Sequence, residues 1–497
     1  MGIGLLLELG ATFAGDRIAV GRGAEALTFA ELDARVDAAA ALIVASEVGS
    51  VAYLGQSGPA FHVALFAAGR AGVPVTPLNY RLADTQLGAL LDQLDEPLVV
   101  VDEQYVGTVA DRRQVISSRT LLEAPFAADV ELPDVDDESA AVVLFTSGTT
   151  SAPKGVVLRH AHLVSYVLQT VDPGSAEPDD AALVCVPPYH VAGVGTVLTN
   201  TVAGRRVVHL ADFAPAEWLA TVAAEGVTSA MVVPTMLARI VETLDGAVAE
   251  APTLRSIAYG GARIPAPVLA RALTAFPGTG FVNAYGLTET SSTIALLGPE
   301  DHRAALEAGD PAARARLASA GRFVPGVEGQ IRAEDGSVLG VEEVGELWVR
   351  GAQVSGEYLT GSVVDADGWF PTRDRAHLDA EGYLFIEGRS DDTIIRGGEN
   401  IAPAEVEDVI AEHPAVREVA VIGLPDEEWG ERLVAVVVTR PADDELTPDD
   451  VRAFVRARLR GSRTPDEVFL RAAELPKTPT GKLLRRELVD DLLATRS

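Results

Sequence analysis

From about residue 50 to residue 290 the chain repeats one plan: a β-branched apolar run, a loop of Gly, Pro, Ser and Thr, then apolar residues at helical spacing. "SAMVVPTMLARIVETL" and "LRSIAYGGARIPAPVLARALTAF" are two instances. The alternation predicts mostly parallel sheets flanked by helices, with ligands bound just beyond the carboxyl ends of the strands. "AAVVLF" reads as a buried strand, "VVLRHAHLVSYVL" as a short strand running into a helix, and the N-terminal "MGIGLLLELGATFAGDR" as an amphipathic helix. After about residue 320 the pattern changes to short strands and turns, as in "GQIRAEDGSVLGVEEVGELWVRG" and "GYLFIEGR", which predicts a small β-rich subdomain. The last hundred or so residues mix helix and strand, as in "PAEVEDVIAEHP", "VREVAVIGLPD" and "RLVAVVVTR". The expected fold class is α/β, with a large N-terminal domain over 1–389 and a small α+β C-terminal domain over 390–497.

Composition narrows the class of partner. The 497 residues are 48% hydrophobic, enough for large buried cores. The 72 acidic residues outnumber the 40 basic ones, giving a formal charge of -32 that repels nucleic acid and anionic membranes over most of the exterior. An anionic ligand must therefore be held by local donors. The single cysteine, Cys185, lies in the apolar run "ALVCVPP" and reads as a buried strand residue. The N-terminus carries Glu8 inside its apolar run and no Lys or Arg before Arg17, so a secretory leader is not expected. Leu6 fails the myristoylation pattern, and no apolar run reaches membrane-spanning length. The expected address is the cytoplasm, without stable membrane insertion.

Four segments carry candidate chemistry. "LFTSGTTSAPKGVVLRH" offers hydroxyls, backbone N–H groups and one lysine, a donor set suited to a polyphosphate; Lys154 precedes Gly155, so this is not a Walker A loop. "FVNAYGLTETSS" ends a strand with an amide, a flat aromatic ring, a hydroxyl and a carboxylate, suited to a purine, a phosphate and Mg²⁺. Asp374 and Arg389, fifteen apart, are expected to bracket a hairpin that brings a carboxylate and a guanidinium to one ligand. In "LPKTPTGKLLRREL", Lys482 follows a tight turn and is expected to open a helix, where it can be delivered to an anion. Singly, these have ordinary readings as a linker, a capped turn, a structural salt bridge and a helix start. "RHAHL" is not expected to bind metal, because His160 and His162 would project on different sides of a helix.

Taken together and in this order, the segments closely resemble the adenylate-forming superfamily: acyl-CoA synthetases, luciferases and the adenylation domains of peptide synthetases. The resemblance runs from "LTFAELDARVDAAAALI" and "AGRAGVPVTPLNYRL" to "TGKLLRREL". It implies two helix-flanked sheets and a β-rich subdomain in the N-terminal domain, a mobile C-terminal domain, and a site between them. It also implies that a carboxylate and ATP, with Mg²⁺, give acyl-AMP and pyrophosphate, after which a thiol, that of CoA, displaces AMP. Thr146, Ser147, Gly148, Thr149, Thr150 and Lys154 match the phosphate loop. Asn283, Ala284, Tyr285 and Gly286 match the adenine segment, with Thr288 at the α-phosphate, and Glu289 and Thr149 toward the metal. Asp374 and Arg389 match the ribose contacts. Gly260, Gly261 and Ala262 match the loop lining the nucleotide and acyl pockets. His190, Val191, Gly193 and Gly195, in "VPPYHVAGVGTVL", match the acyl segment, where His190 stands at a gate and the two glycines are expected to leave room for substrate. Asp391 matches the hinge, Gly397, Gly398 and Glu399 the CoA tunnel, and Lys482 the lysine bridging the carboxylate and the α-phosphate.

No aspartate opens the acyl segment, where amino-acid-activating domains hold an ammonium group, so an unaminated acid, above all a fatty acid, is expected. Two positions depart from the family pattern. "TRD" places Arg373 where the family usually has glycine, and "GSRTPDEV" replaces a more usual Tyr-Lys-x-Pro. The first reading is an acyl-CoA synthetase, monomer or homodimer. The second loads the phosphopantetheine arm of an acyl carrier protein; the third is a non-catalytic nucleotide- or acyl-binding scaffold.

Overall fold

The computed structural model describes residues 2–109, 112, 114–125, 130–146, 153–396, 399–426, 429–440, 446–459, 461–478 and 483–494. Four sheets organise them. In the eight-stranded sheet, Ala140–Thr146, Val75–Pro77, Ser50–Leu54, Pro97–Val101 and Val115–Ser117 run parallel. Ser50–Leu54 is buried at every position, as a parallel strand covered on both faces should be. In the nine-stranded sheet the parallel interior is Gly280–Leu287, Ser256–Gly260, Ser229–Val232, Ala181–Val184 and Arg206–His209.

Helices Gly4–Ala14, Phe29–Ala45, Pro59–Arg70, His160–Thr170 and Val191–Ala203 contribute to one large core with residues of the eight-stranded sheet. The expected amphipathic N-terminal helix is the first of these, burying Leu6, Leu7, Gly10 and Ala14. Phe29–Ala45 starts at a reciprocal cap: Thr28 Oγ1 accepts from Glu31 N at 3.1 Å while Glu31 Oε2 accepts from Thr28 N at 2.8 Å. His62 of the buried helix Pro59–Arg70 meets His209 of the nine-stranded sheet, Nε2 to Nε2, at 3.0 Å.

Both large sheets become antiparallel toward their edges, the nine-stranded one also where Leu27–Thr28 pairs with Ile18–Val20. Lys154–Arg159 returns antiparallel beside Ala140–Thr146, and Ser292–Leu297 antiparallel beside Gly280–Leu287. Connections of seven and four residues are too short for a parallel crossover. The loop after Thr146 thus joins two strands, as its flanks predict, and the turn after Leu287 likewise ends a hairpin. A four-stranded antiparallel sheet, Val327–Arg332, Gly345–Gly351, Phe370–Leu378 and Leu384–Arg389, forms the β-rich part. A final sheet of Glu399–Ile401, Ile394–Arg396, Gly430–Thr439, Val416–Asp426 and Glu467–Arg471 carries helices Pro403–Ala411, Pro448–Arg456 and Arg485–Ala494 and has cores of its own. Among the described residues, no helix is long and apolar enough to cross a membrane.

Candidate active site

The strand Gly280–Leu287 ends in the single turn Thr288–Thr290, followed by Ser291 and Ser292 at φ 56° and 110°. Two consecutive non-glycine residues at positive φ are strained, and such strain persists where the surroundings over-determine it. Here they do. The fully buried Gln353 donates from Nε2 to the carbonyls of Thr290 at 3.0 Å and Thr293 at 2.8 Å. Gly286 is required because a Cβ there would stand 1.7 Å from the Ser292 carbonyl oxygen.

One residue earlier, Tyr285 Oη donates to Asp374 Oδ2 at 2.5 Å. Burial, and then the Asp374 carboxylate, hold the Tyr285 phenol well above its ordinary pKa, so it remains a donor. Asp374 and Arg389 are direct cross-strand partners in the expected hairpin, with Arg389 Nη1 3.4 Å from Asp374 Oδ1. Arg389 Nε is buried without a hydrogen-bond partner, a donor free for a ligand. Thr372 shapes the strand: its hydroxyl donates to the Leu347 carbonyl at 2.8 Å and accepts from Asp374 N at 3.1 Å. Between them Arg373 adopts φ 62° in a register shift against Gly345–Gly351. That backbone conformation favours glycine, which explains the residue more usual there. Asn283 donates from Nδ2 to the Ser319 carbonyl at 2.9 Å, so its Oδ1 is the atom left to accept from an amine. Ala284 precedes Tyr285 on the same strand.

Across the site, Tyr358 Oη donates to Glu289 Oε1 at 2.8 Å, and Lys154 Nζ lies 5.7 Å from the centroid of the Tyr358 ring. Burial, then Glu289, raise the Tyr358 pKa. The Glu289 carbonyl accepts from Ser355 N at 2.9 Å and Gly356 N at 3.1 Å, which anchors the Thr288–Thr290 turn to the Ser355–Tyr358 segment. Sequence reasoning missed Tyr358, Gln353 and Thr372. Thr146 Oγ1 and the Lys154 carbonyl, 3.4 Å apart, mark the base of the phosphate-loop hairpin. Ser147, Gly148, Thr149 and Thr150 lie outside the described residues. Among the described residues no three His, Cys, Asp or Glu cluster as a metal site. Glu289, its Oε1 held by Tyr358, is a carboxylate whose hard oxygens would suit Mg²⁺.

The acyl segment requires a correction. Gly193 and Gly195 do not leave room for a substrate. A Cβ at Gly193 would stand 2.5 Å from the Pro187 carbonyl oxygen, and one at Gly195 3.2 Å from the Tyr166 ring. Both missing side chains are absorbed by packing of the helix Val191–Ala203 against its neighbours. Gly260 is likewise set by its neighbouring strand, since a Cβ there would lie 2.2 Å from the Ala284 carbonyl oxygen; Gly261 follows at φ 81°, and then Ala262, half-buried. His190 caps the helix, with Val191 its first residue. Its Nε2 is buried without a partner. Burial, with the Arg81 guanidinium adding to it, pushes its pKa to about 4, so the ring is neutral at physiological pH. Each histidine of "RHAHL" accepts from the backbone: His160 Nδ1 from Ile3 N at 3.0 Å, and His162 Nδ1 from Arg159 N at 3.3 Å.

In the C-terminal part, Asp391 lies in the turn Ser390–Asp392 directly after Arg389. Glu399 pairs with Arg463 at 2.5 Å, and Arg463 also holds Glu405 at 3.0 Å, which gives "GSRTPDEV" a structural task. Gly397, Gly398 and Lys482 lie outside the described residues. The helix expected to open at Lys482 starts at Arg485.

Residues 8–359 match the family described as AMP-binding enzyme, and residues 405–482 the AMP-binding enzyme C-terminal domain. A feruloyl-CoA synthase of Amycolatopsis sp is 36% identical over 488 residues, covering 95% of each chain. A fatty acid–[acyl-carrier-protein] ligase of Streptomyces coeruleorubidus is 32% identical over 461 residues, covering 88% of this chain and 86% of that one. Among solved structures, o-succinylbenzoate CoA synthetase from Bacillus subtilis in complex with its acyl-adenylate intermediate superposes with a TM-score of 0.84 at 29% identity, covering 97% of each chain. The same enzyme with ATP and magnesium ion gives 0.83 at 28% identity, covering 97% of this chain and 98% of that one.

Proposed function

This chain belongs to the family of AMP-binding enzymes and is an ATP-dependent acid–thiol ligase working through an acyl-adenylate, and from that premise we propose how its residues divide the work. ATP and CoA are its co-substrates and Mg²⁺ its metal. The observation that carries this division is the Tyr285–Asp374–Arg389 assembly, with Glu289, four residues beyond Tyr285, held by Tyr358.

Asp374, held by the Tyr285 hydroxyl, accepts from the ribose hydroxyls, and Arg389 Nε donates to the same nucleotide. Asn283 Oδ1 accepts from the adenine amine. Lys154 and the phosphate loop take the β- and γ-phosphates, while Thr288 faces the α-phosphate. Glu289 would hold Mg²⁺, which would supply positive charge to offset that of the departing pyrophosphate. The attacking carboxylate and the α-phosphate are both anionic, so a preorganised cation between them lowers the barrier; that is the role of Lys482. Neutral His190 lines the acyl entrance without adding charge. Residues 1–389 form the catalytic platform and 390–497 the unit that turns about Asp391 between the two steps, bringing Gly397, Gly398 and Glu399 to the thiol.

The acid is an unaminated carboxylate, since no acidic side chain opens the acyl segment to hold an ammonium group. Fatty acids and ferulate-like aryl acids are the first candidates, on the strength of the relatives at 32% and 36% identity. The enzyme acts in the cytoplasm. A second reading, transfer to an acyl carrier protein, draws on the carrier-protein ligase among the relatives. The test is pyrophosphate release over a panel of carboxylic acids, with CoA, with holo-carrier protein and with neither, and with thioester detected directly. Thioester on CoA supports the first reading, and thioester on the carrier alone replaces it by the second.

A further inference from the structure

The helix Pro403–Ala411 carries two adjacent carboxylates that grip different parts of the molecule. Glu407 Oε1 accepts from Arg485 at 2.6 Å and from Val421 N at 2.7 Å, fixing the helix to its own sheet and to the first residue of Arg485–Ala494. Asp408 reaches the other way and forms a close ion pair with Arg263. Arg263 belongs to the loop that follows the strand Ser256–Gly260, two residues after Gly261, and leads into Ala266–Ala275. The same helix also packs on the strand Leu384–Arg389, which ends in the ribose-side arginine. One short helix therefore ties the loop beside the reacting centre to the segment that follows Lys482.

We infer that the Arg263–Asp408 pair is a positioning contact that holds the C-terminal unit in one of its two working orientations. The inference rests on the proposed ligase reading, in which the two half-reactions require different placements of that unit. Residues on opposite sides of a rotating interface cannot stay paired through both, so the pair favours one step at the expense of the other. Both side chains are about two-fifths exposed, so the contact is modest in strength and breakable, as an element that must release on every turnover has to be.

Arg263→Ala and Asp408→Asn are measured separately in acyl-adenylate formation, by pyrophosphate release, and in thioester formation from supplied acyl-adenylate. The ratio of the two rates is expected to shift by about fivefold, the upper end for an exposed pair, one step falling while the other holds or rises. The charge swap R263D/D408R restores the ratio. A pair that merely supports the fold lowers both steps together, or neither, and either result overturns the inference, as does a swap that fails to restore. Limited proteolysis at the Ser390–Asp392 connection gives an arm that does not need turnover. Cleavage accelerates in each single variant and returns to the parental rate in the swap; equal cleavage in all four proteins overturns the inference. If the parent protein releases no pyrophosphate with any acid, the ligase reading is what fails, and the proteolysis arm decides the contact by itself.

Discussion

Arg373 occupies a backbone conformation that costs an L-residue roughly 1–2 kcal/mol, next to the carboxylate that receives the Tyr285 hydroxyl. Arg373→Gly is therefore expected to stabilise the fold by about 1 kcal/mol, read as a rise in denaturation midpoint; an unchanged or lowered midpoint shows that the arginine side chain compensates for the strain. The neighbouring pair Asp374 and Arg389 was legible in the sequence because a hairpin makes spacing into contact. Tyr358 was not: its partner Glu289 lies 69 residues away, and its strand is two residues long, too short to show a period. Tyr358→Phe leaves Glu289 Oε1 without its donor, so in the proposed role of Glu289 the metal loses a fixed ligand. We expect kcat for adenylation to fall about tenfold, in line with the loss of a hydrogen bond to a charged group, with little change in the KM for the acid. An effect confined to the acid's KM places Tyr358 in the acyl pocket instead.

At the level of elements, the alternating apolar runs revealed the parallel interiors of both large sheets, because strands buried on two faces are written as continuous hydrophobic stretches. The antiparallel edges were hidden, since a hydroxyl-rich hairpin and a hydroxyl-rich strand-to-helix loop share one composition. Glycines misled for a related reason: composition shows that a side chain is missing, not what fills its place. Gly260 is a test of that point, because its missing Cβ faces the Ala284 carbonyl oxygen and not a ligand. Gly260→Ala is expected to cost about 1–3 kcal/mol by forcing two central strands apart, and so to lower thermal stability and both half-reactions together. Selective loss of acid binding with an unchanged melt contradicts it. The helix Pro403–Ala411 carries a pH dependence as well. Burial pushes the Asp408 carboxyl up to about 6; Arg263 opposes the rise, while Glu407, Glu387 and Glu412 add to it. Above pH 6 the group is ionised and pairs with Arg263, and as the pH falls through 6 the pair is lost. Because the folded-state pKa lies above the ordinary carboxylate value, acidification releases the contact without destabilising the fold through this group. The ratio of half-reaction rates should therefore step near pH 6 in the parent and lose that step in Asp408→Asn.

For the molecule as a whole, a net charge of -32 makes every cation near the nucleotide matter, and the choice of cation is informative. Of the 40 basic residues only three are lysine, at 154, 477 and 482. A chain that uses arginine almost everywhere else keeps lysine where a compact, mobile point charge is wanted in place of a planar fork. Lys154 lies against the Tyr358 ring. Lys477 holds Glu418 at 2.8 Å and pairs across to Leu483, while Leu484 N donates to the Pro476 carbonyl at 2.9 Å, so both flanks of the segment leading to Lys482 are fixed. A charge delivered from such a base serves only the orientation that points it at the α-phosphate. Lys482→Ala should then slow acyl-adenylate formation at least about a hundredfold, roughly 3 kcal/mol by analogy with the loss of one preorganised donor, while thioester formation from supplied acyl-adenylate stays near the parental rate. Lys482→Arg separates charge from shape: if position and compactness both count, the arginine variant recovers little of the lost rate although it keeps the charge. Full recovery by arginine would reduce the role of this residue to electrostatics alone, and equal loss in both half-reactions would remove Lys482 from the first step altogether.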